Sequence, residues 1–195
     1  MQSRSVLSFD VYLVGASLAL IAIGILFIYS SGVTSTGRVF SNEYIRQIIW
    51  AGSGLLLLFT TAFMPHGTIR SWSVPFYAVV IVLLLFTLAF GRVVNGARSW
   101  LGIGGLGIQP SEFAKLASIL VLALVLDRFG SAIRRIPMLL AASSVMLIPM
   151  GLTLVQPDLG TALVFVPLFL VMVFVAGARI HHVAYVVLVL ALTAV

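Results

Sequence analysis

Cysteine is absent from all 195 residues, which excludes disulfides and thiolate metal sites. Charge is scarce as well. Asp, Glu, Lys and Arg supply 8% of positions against 62% hydrophobic residues, where a soluble domain carries roughly 25% charged residues. Such a chain cannot cover a water-facing surface. Acids are the rarest charged type, five against eleven Lys and Arg, for a net charge of +6. The basic residues are scattered through short connecting segments, a pattern that reflects topology and anionic lipid rather than nucleic acid. There is no tandem repeat and no low-complexity linker.

What fills the chain is a series of apolar stretches. Nothing is ionised between Asp10 and Arg38, Arg46 and Arg70, Arg70 and Arg92, Arg135 and Asp158, or Asp158 and Arg179, and each gap is long enough for one bilayer crossing. The spacing predicts an all-α polytopic membrane protein forming a single membrane domain over 1–195. Its helices are expected near 11–30, 46–65, 72–91, 110–128, 136–155, 158–177 and 182–195. The last stretch, 183–195, holds thirteen uncharged residues. It would reach about 20 Å as a helix where a bilayer core needs about 30 Å. The expectation is therefore an N-terminal portion of a longer protein, with further functional groups after Val195. The first stretch is longer than a signal core and has Asp10 where a basic flank belongs, so it reads as a retained helix.

With the N-terminus cytoplasmic, Arg4, Arg70, Arg128, Arg134, Arg135 and Arg179 lie inside. Arg38, Arg46, Arg92, Arg98 and Lys115 lie outside, three of them in or near helix starts. The Arg128, Arg134, Arg135 cluster is the best positive-inside signal.

The fourth helix is unusual. Only 116–126 is uncharged between Lys115 and Asp127, eleven residues or about 16 Å, roughly half the core. To cross, the helix must begin near Pro110 and take in Glu112 and Lys115. An ionised side chain in a span costs about 3 kcal/mol or more and usually faces a cavity or a partner. Spaced three apart, these two share a helical face and can pair. A local reading stands beside that one: Pro110 at the first helical position, Glu112 favouring the helix dipole, Lys115 snorkelling to the interface. Gln109-Pro110-Ser111-Glu112 has a counterpart in Gln156-Pro157-Asp158, so Asp158 is either a cap beside a packing glycine, Gly160, or a functional carboxylate.

Odd-numbered loops lie on one side of the membrane. Arg98, Glu112, Lys115 and Asp158 could therefore converge on one pocket facing outward. In the 95–105 loop Arg98 could hold a phosphate bidentately, Trp100 fits an interfacial anchor, and the glycines allow tight turns. Glu112 and Asp158 are hard oxygen ligands suited to Mg2+ or Mn2+. His181 and His182 read as solvated interfacial residues, and His66 is isolated. Pro149 and Pro167 fall inside helices, where neighbours can absorb the freed backbone groups.

The strings GARSWLGIG, GIQPSEFAKLA (107–117) and VQPDLGTAL (155–163) resemble the SEDS family of shape, elongation, division and sporulation proteins, the RodA, FtsW and SpoVE group. The resemblance covers most of the chain and is nearest the RodA-like, elongation branch. It implies about ten membrane helices, of which about seven are present here. It implies a bacterial cytoplasmic membrane enzyme, a peptidoglycan glycosyltransferase that polymerises lipid II on the outer membrane face beside a class B penicillin-binding protein. Glu112 and Lys115 resemble the family's ion pair, Gln109 stands in its QPSE motif, Asp158 resembles the aspartate of its QPDLG motif, and Arg98 and Trp100 fall in its GA-x-x-W loop. Many members have arginine directly before that tryptophan; here Ser99 stands there. The aspartate usually considered catalytic is expected after Val195, so no catalytic residue is named and this chain is expected to be inactive alone. A lipid II flippase and a non-catalytic scaffold for a penicillin-binding protein in division are the alternatives.

Overall fold

The computed structural model describes residues 10–32, 43–94, 96–103, 106–179 and 181. The helix expected near 182–195, and Arg38 and Asn42 of the first loop, lie outside the described residues. The chain divides into two compact units, Met1–Pro65 and His66–Val195.

The first unit holds α1 (Val11–Ser31) and α2 (Glu43–Ala62). Asp10 caps α1 by accepting from the N–H groups of Tyr12 and Leu13 at 3.0 and 3.1 Å, which satisfies two donors that a helix start leaves open. α2 starts three residues earlier than expected. Glu43 sits in its first turn, favourable for the dipole, and pairs with Arg46 at 2.7 Å.

The second unit holds α3 (His66–Phe90), α4 (Pro110–Phe129), α5 (Ile136–Val155) and α6 (Leu159–Val175), with a 3-10 turn, Gly130–Arg134, between α4 and α5. Apart from α6, which is shorter, each is long and apolar enough to cross a membrane, as are α1 and α2. α3 begins six residues before the expected start and so contains Arg70. That arginine is tolerated because Asp127 near the end of α4 meets it at 2.9 Å.

α4 packs against α3, α5 and α6. Its buried face carries Ser111, Ala114, Ala117 and Ser118, small residues that let helix backbones approach where lipid supplies no hydrophobic drive for association. The core around it includes Leu84, Leu122, Ile133, Leu139, Met146, Phe165 and Phe169.

Pro149 lies inside α5 and has no N–H to give the carbonyl four residues earlier. That carbonyl belongs to Val145, and the Tyr77 hydroxyl of α3 donates to it at 2.9 Å. A neighbouring helix thus absorbs the group that proline frees. Tyr77→Phe should cost about 1–2 kcal/mol, measured as a fall in detergent thermal stability; an unchanged midpoint would refute the role.

Among the described residues one connecting segment forms strands. The segment between α3 and α4 forms a three-stranded antiparallel sheet in the order β1 (Arg92–Val94), β2 (Ala97–Ile103), β3 (Leu106–Ile108). Val94 pairs with Ala97, and Gly96 holds φ +85°, a conformation open to glycine at little cost. The sheet, the start of α4 and the α5–α6 turn share one end of this unit. The start of α3, the end of α4, the 3-10 turn and the end of α6 share the other.

Candidate active site

Two tethers assemble the site-bearing end, and an ion pair within α4 adds its charges. The first fixes the sheet. The backbone N–H of Arg98 donates to the Gln156 carbonyl at 3.1 Å, so β2 is bonded to the α5–α6 turn. The exposed Arg98 guanidinium donates to the Ala89 carbonyl at 3.3 Å. A Cβ at Gly91 would lie 2.4 Å from the Thr87 carbonyl oxygen and 3.1 Å from the Arg98 Cγ, so the turn out of α3 is closed tightly enough to require glycine.

The second tether joins two helix starts. Gln109 is the N-cap residue of α4 but makes no capping bond with its side chain. Its Nε2 instead donates to Asp158 Oδ2 at 2.7 Å, with a weaker approach to Thr161 Oγ1 at 3.5 Å. Asp158 caps α6, its Oδ1 accepting from the Thr161 N–H at 3.1 Å. Both carboxylate oxygens are thus engaged, and the positive end of the α6 dipole favours their charge.

The ion pair lies within α4, between residues three apart. Lys115 Nζ donates to Glu112 Oε1 at 2.8 Å, the lysine side chain 19% exposed and the glutamate 56%. The ammonium is the sheltered partner, and Glu112 occupies the first turn of α4.

The sequence-derived residues therefore fall at one end, as loop parity requires. Gln109 meets Asp158, Glu112 meets Lys115, and Arg98 joins the segment carrying Asp158 through its backbone. Among the described residues no hydrogen bond or ion pair links Glu112–Lys115 to Asp158. Nor do those residues hold a group of three or more His, Asp or Glu that could bind a metal. With Asp158 bonded through both oxygens and Glu112 turned to Lys115, the two carboxylates do not by themselves fit a Mg2+ or Mn2+ site, which needs about six oxygens.

Trp100 is half-buried and stands opposite Arg92 across the β1–β2 pair. Gly107 faces it; a Cβ there would lie 3.0 Å from the Trp100 ring. Arg92, Val93, Val94, Trp100, Leu101, Gly102 and Gly107 line an open cavity of about 320 Å3, within the range of small-ligand sites. So Trp100 forms a pocket wall, a role beyond the interfacial anchor expected of it.

Sequence reading passed over two residues as candidates in their own right. Gln156 is 1% exposed and donates from Nε2 to the Leu84 carbonyl at 3.0 Å, while its main chain holds Arg98. Ser99 is also 1% exposed, turned inward between exposed Arg98 and half-buried Trp100 as strand alternation dictates. The repeated Gln-Pro was the available signal for Gln156.

Residues 11–195 match the model of the FtsW, RodA and SpoVE family, described as cell cycle proteins. The peptidoglycan glycosyltransferase RodA of Treponema pallidum (strain Nichols) is 47% identical over 195 residues, covering 99% of this chain and 44% of that protein. In a solved structure of a peptidoglycan synthase complex, concerned with coordinating polymerization and crosslinking, one chain superposes with a TM-score of 0.80 at 35% identity, over 96% of this chain and 54% of that one. The rod shape determining protein RodA of Thermus thermophilus superposes with a TM-score of 0.74 at 33% identity, over 96% of this chain and 60% of that one. The chain thus spans 44% of the first relative's length and little more than half of each solved chain.

Proposed function

This chain belongs to the FtsW, RodA and SpoVE family, and from that premise we propose that it forms part of a peptidoglycan glycosyltransferase that polymerises lipid II during cell elongation. The observation that carries the reading is the gathering of Lys115, Glu112, Arg98 and a doubly held Asp158 at one end of a bundle with an apolar core. Its 47% identical relative is named a peptidoglycan glycosyltransferase RodA, which favours elongation over division.

In the proposed reaction a sugar 4-hydroxyl attacks the anomeric carbon of a lipid-linked sugar. The new C–O bond forms as the bond to the diphosphate breaks, the hydroxyl proton passes to a base, and the diphosphate leaves with the electron pair. Charge grows on the leaving diphosphate, where a fixed cation is most valuable. Lys115, sheltered and oriented by Glu112, suits that role, with Arg98 as a second cation. Asp158, bonded through both oxygens, acts as a positioning residue that sets the start of α6 against α4. The cavity walled by Trp100 offers an indole face beside backbone glycines, suited to a saccharide ring. No base is assigned among these residues, and no step passes through a metal.

Membership of the family and the apolar helices make this a multi-pass inner-membrane protein. We place its N-terminus in the cytoplasm and the site outward. At the site end the second unit carries Arg92, Arg98 and Lys115; the other end carries Arg70, Arg128, Arg134, Arg135 and Arg179, the larger share expected inside. A class B penicillin-binding protein is the proposed partner, by analogy with the polymerization and crosslinking named for the synthase complex.

The deciding test supplies purified lipid II to the protein expressed at full length. Glycan polymer on a gel is the expected result. Transfer of labelled lipid II across liposomes with no polymer would favour a flippase. Neither activity, with penicillin-binding protein still bound, would favour a scaffold.

A further inference from the structure

We propose that the arginine cluster at the end of the bundle opposite the candidate active site is a binding site for the headgroup of an anionic phospholipid. Among the described residues of the second unit, Asp127 is the sole carboxylate at that end, and Arg70 holds it at 2.9 Å. Arg128, Arg134, Arg135 and Arg179 are exposed there with no carboxylate partner among the described residues.

The cluster is mounted on fixed backbone. Arg134 ends and Arg135 follows a 3-10 turn pinned by Ile133, which is 0% exposed, and closed by the bond from the Arg135 N–H to the Ala132 carbonyl at 2.9 Å. Arg134 Nε donates to the Gly177 carbonyl at 3.3 Å, two residues before Arg179, which brings the 3-10 turn against the end of α6. Arg128 lies in the last turn of α4, where the helix dipole favours a cation.

Three elements at this end thus carry arginines, and guanidinium is the side chain best matched to phosphate. What selects a lipid over a free phosphate is the apolar surface alongside: Ile136, Phe174 and Val175 are 53%, 64% and 80% exposed. Ile136 follows Arg135, and Phe174 and Val175 precede Arg179, so acyl chains running along α5 and α6 would meet them. Basic clusters just beyond membrane helices attract anionic headgroups, each Lys or Arg contributing separately.

The test uses the protein expressed at full length and purified in detergent, titrated with phosphatidylglycerol or phosphatidylcholine and read by native mass spectrometry. Phosphatidylglycerol is expected to bind preferentially. Arg128→Gln with Arg135→Gln should weaken it about thirtyfold and leave phosphatidylcholine unchanged. Arg135 makes no capping bond with its side chain, so this pair should not disturb α5. Should that variant fail to fold, Arg128→Gln with Arg179→Gln tests the same surface. Asp127→Asn removes the competing acid and should tighten binding about fivefold. Equal retention of both lipids, undiminished phosphatidylglycerol binding in the arginine variants, or capture of an acidic peptide in place of the lipid would overturn the proposal. None of these outcomes depends on glycan polymerisation.

Discussion

Lys115→Ala, in the protein expressed at full length, is expected to lower polymerisation of lipid II by about 10²–10³-fold, the usual cost of removing one preorganised group that stabilises developing charge. Lys115 is the only lysine in the chain, and its side chain is sheltered while that of its partner is largely exposed. Its charge is therefore better shielded from solvent than that of its partner. Stability should change far less, by about 1 kcal/mol or below, because a pair with one exposed member contributes little to folding. Loss of turnover with a nearly unchanged melting midpoint is the signature to seek. Glu112→Ala should also abolish most activity by releasing the ammonium from its orientation. Full activity in both variants would remove the pair from the mechanism.

The second large effect concerns Gln109 and Asp158. Asp158→Ala removes the cap of α6, worth about 1 kcal/mol, and strands the Gln109 amide, a part-buried donor whose loss of partner costs about 1–3 kcal/mol. Gln109→Ala strands one carboxylate oxygen. Because both changes break the same 2.7 Å bond, the double variant should be less impaired than the sum, with a coupling of about 0.5–3 kcal/mol by a thermodynamic cycle on unfolding. Gln109→Glu should be worse than Gln109→Ala, since it sets a second negative charge against the first. Additive effects would show that the bond does not connect α4 to α6 energetically.

Much of this organisation was legible in the residues. The charge gaps placed α5 at its observed bounds, and the shortness of 116–126 forced α4 back to Pro110, where it begins. Loop parity brought Arg98, Lys115 and Asp158 to one end. Two things escaped. Arg70 reads as a boundary because a lone charge stops a span, and nothing local announces that Asp127, 57 positions on, neutralises it. The sheet escaped because glycines hid the strands, although Asn95-Gly96 between valine-rich and aromatic segments is a hairpin signal. The bond from Gln109 to Asp158 could not have been read at all: two matching Gln-Pro starts gave no reason for one amide to reach a carboxylate and the other a carbonyl on α3.

The single bond from the β2 backbone to the Gln156 carbonyl has a mechanical corollary. The same residue that receives it anchors through its amide to α3 and immediately precedes the proline leading into α6. Displacing the hairpin by a fraction of an ångström must then tug on the segment delivering Asp158, and the reverse holds as well. Occupancy of the tryptophan-walled hollow and alignment of the acidic cap are therefore expected to be coupled, and a spectroscopic label on either arm should register events at both.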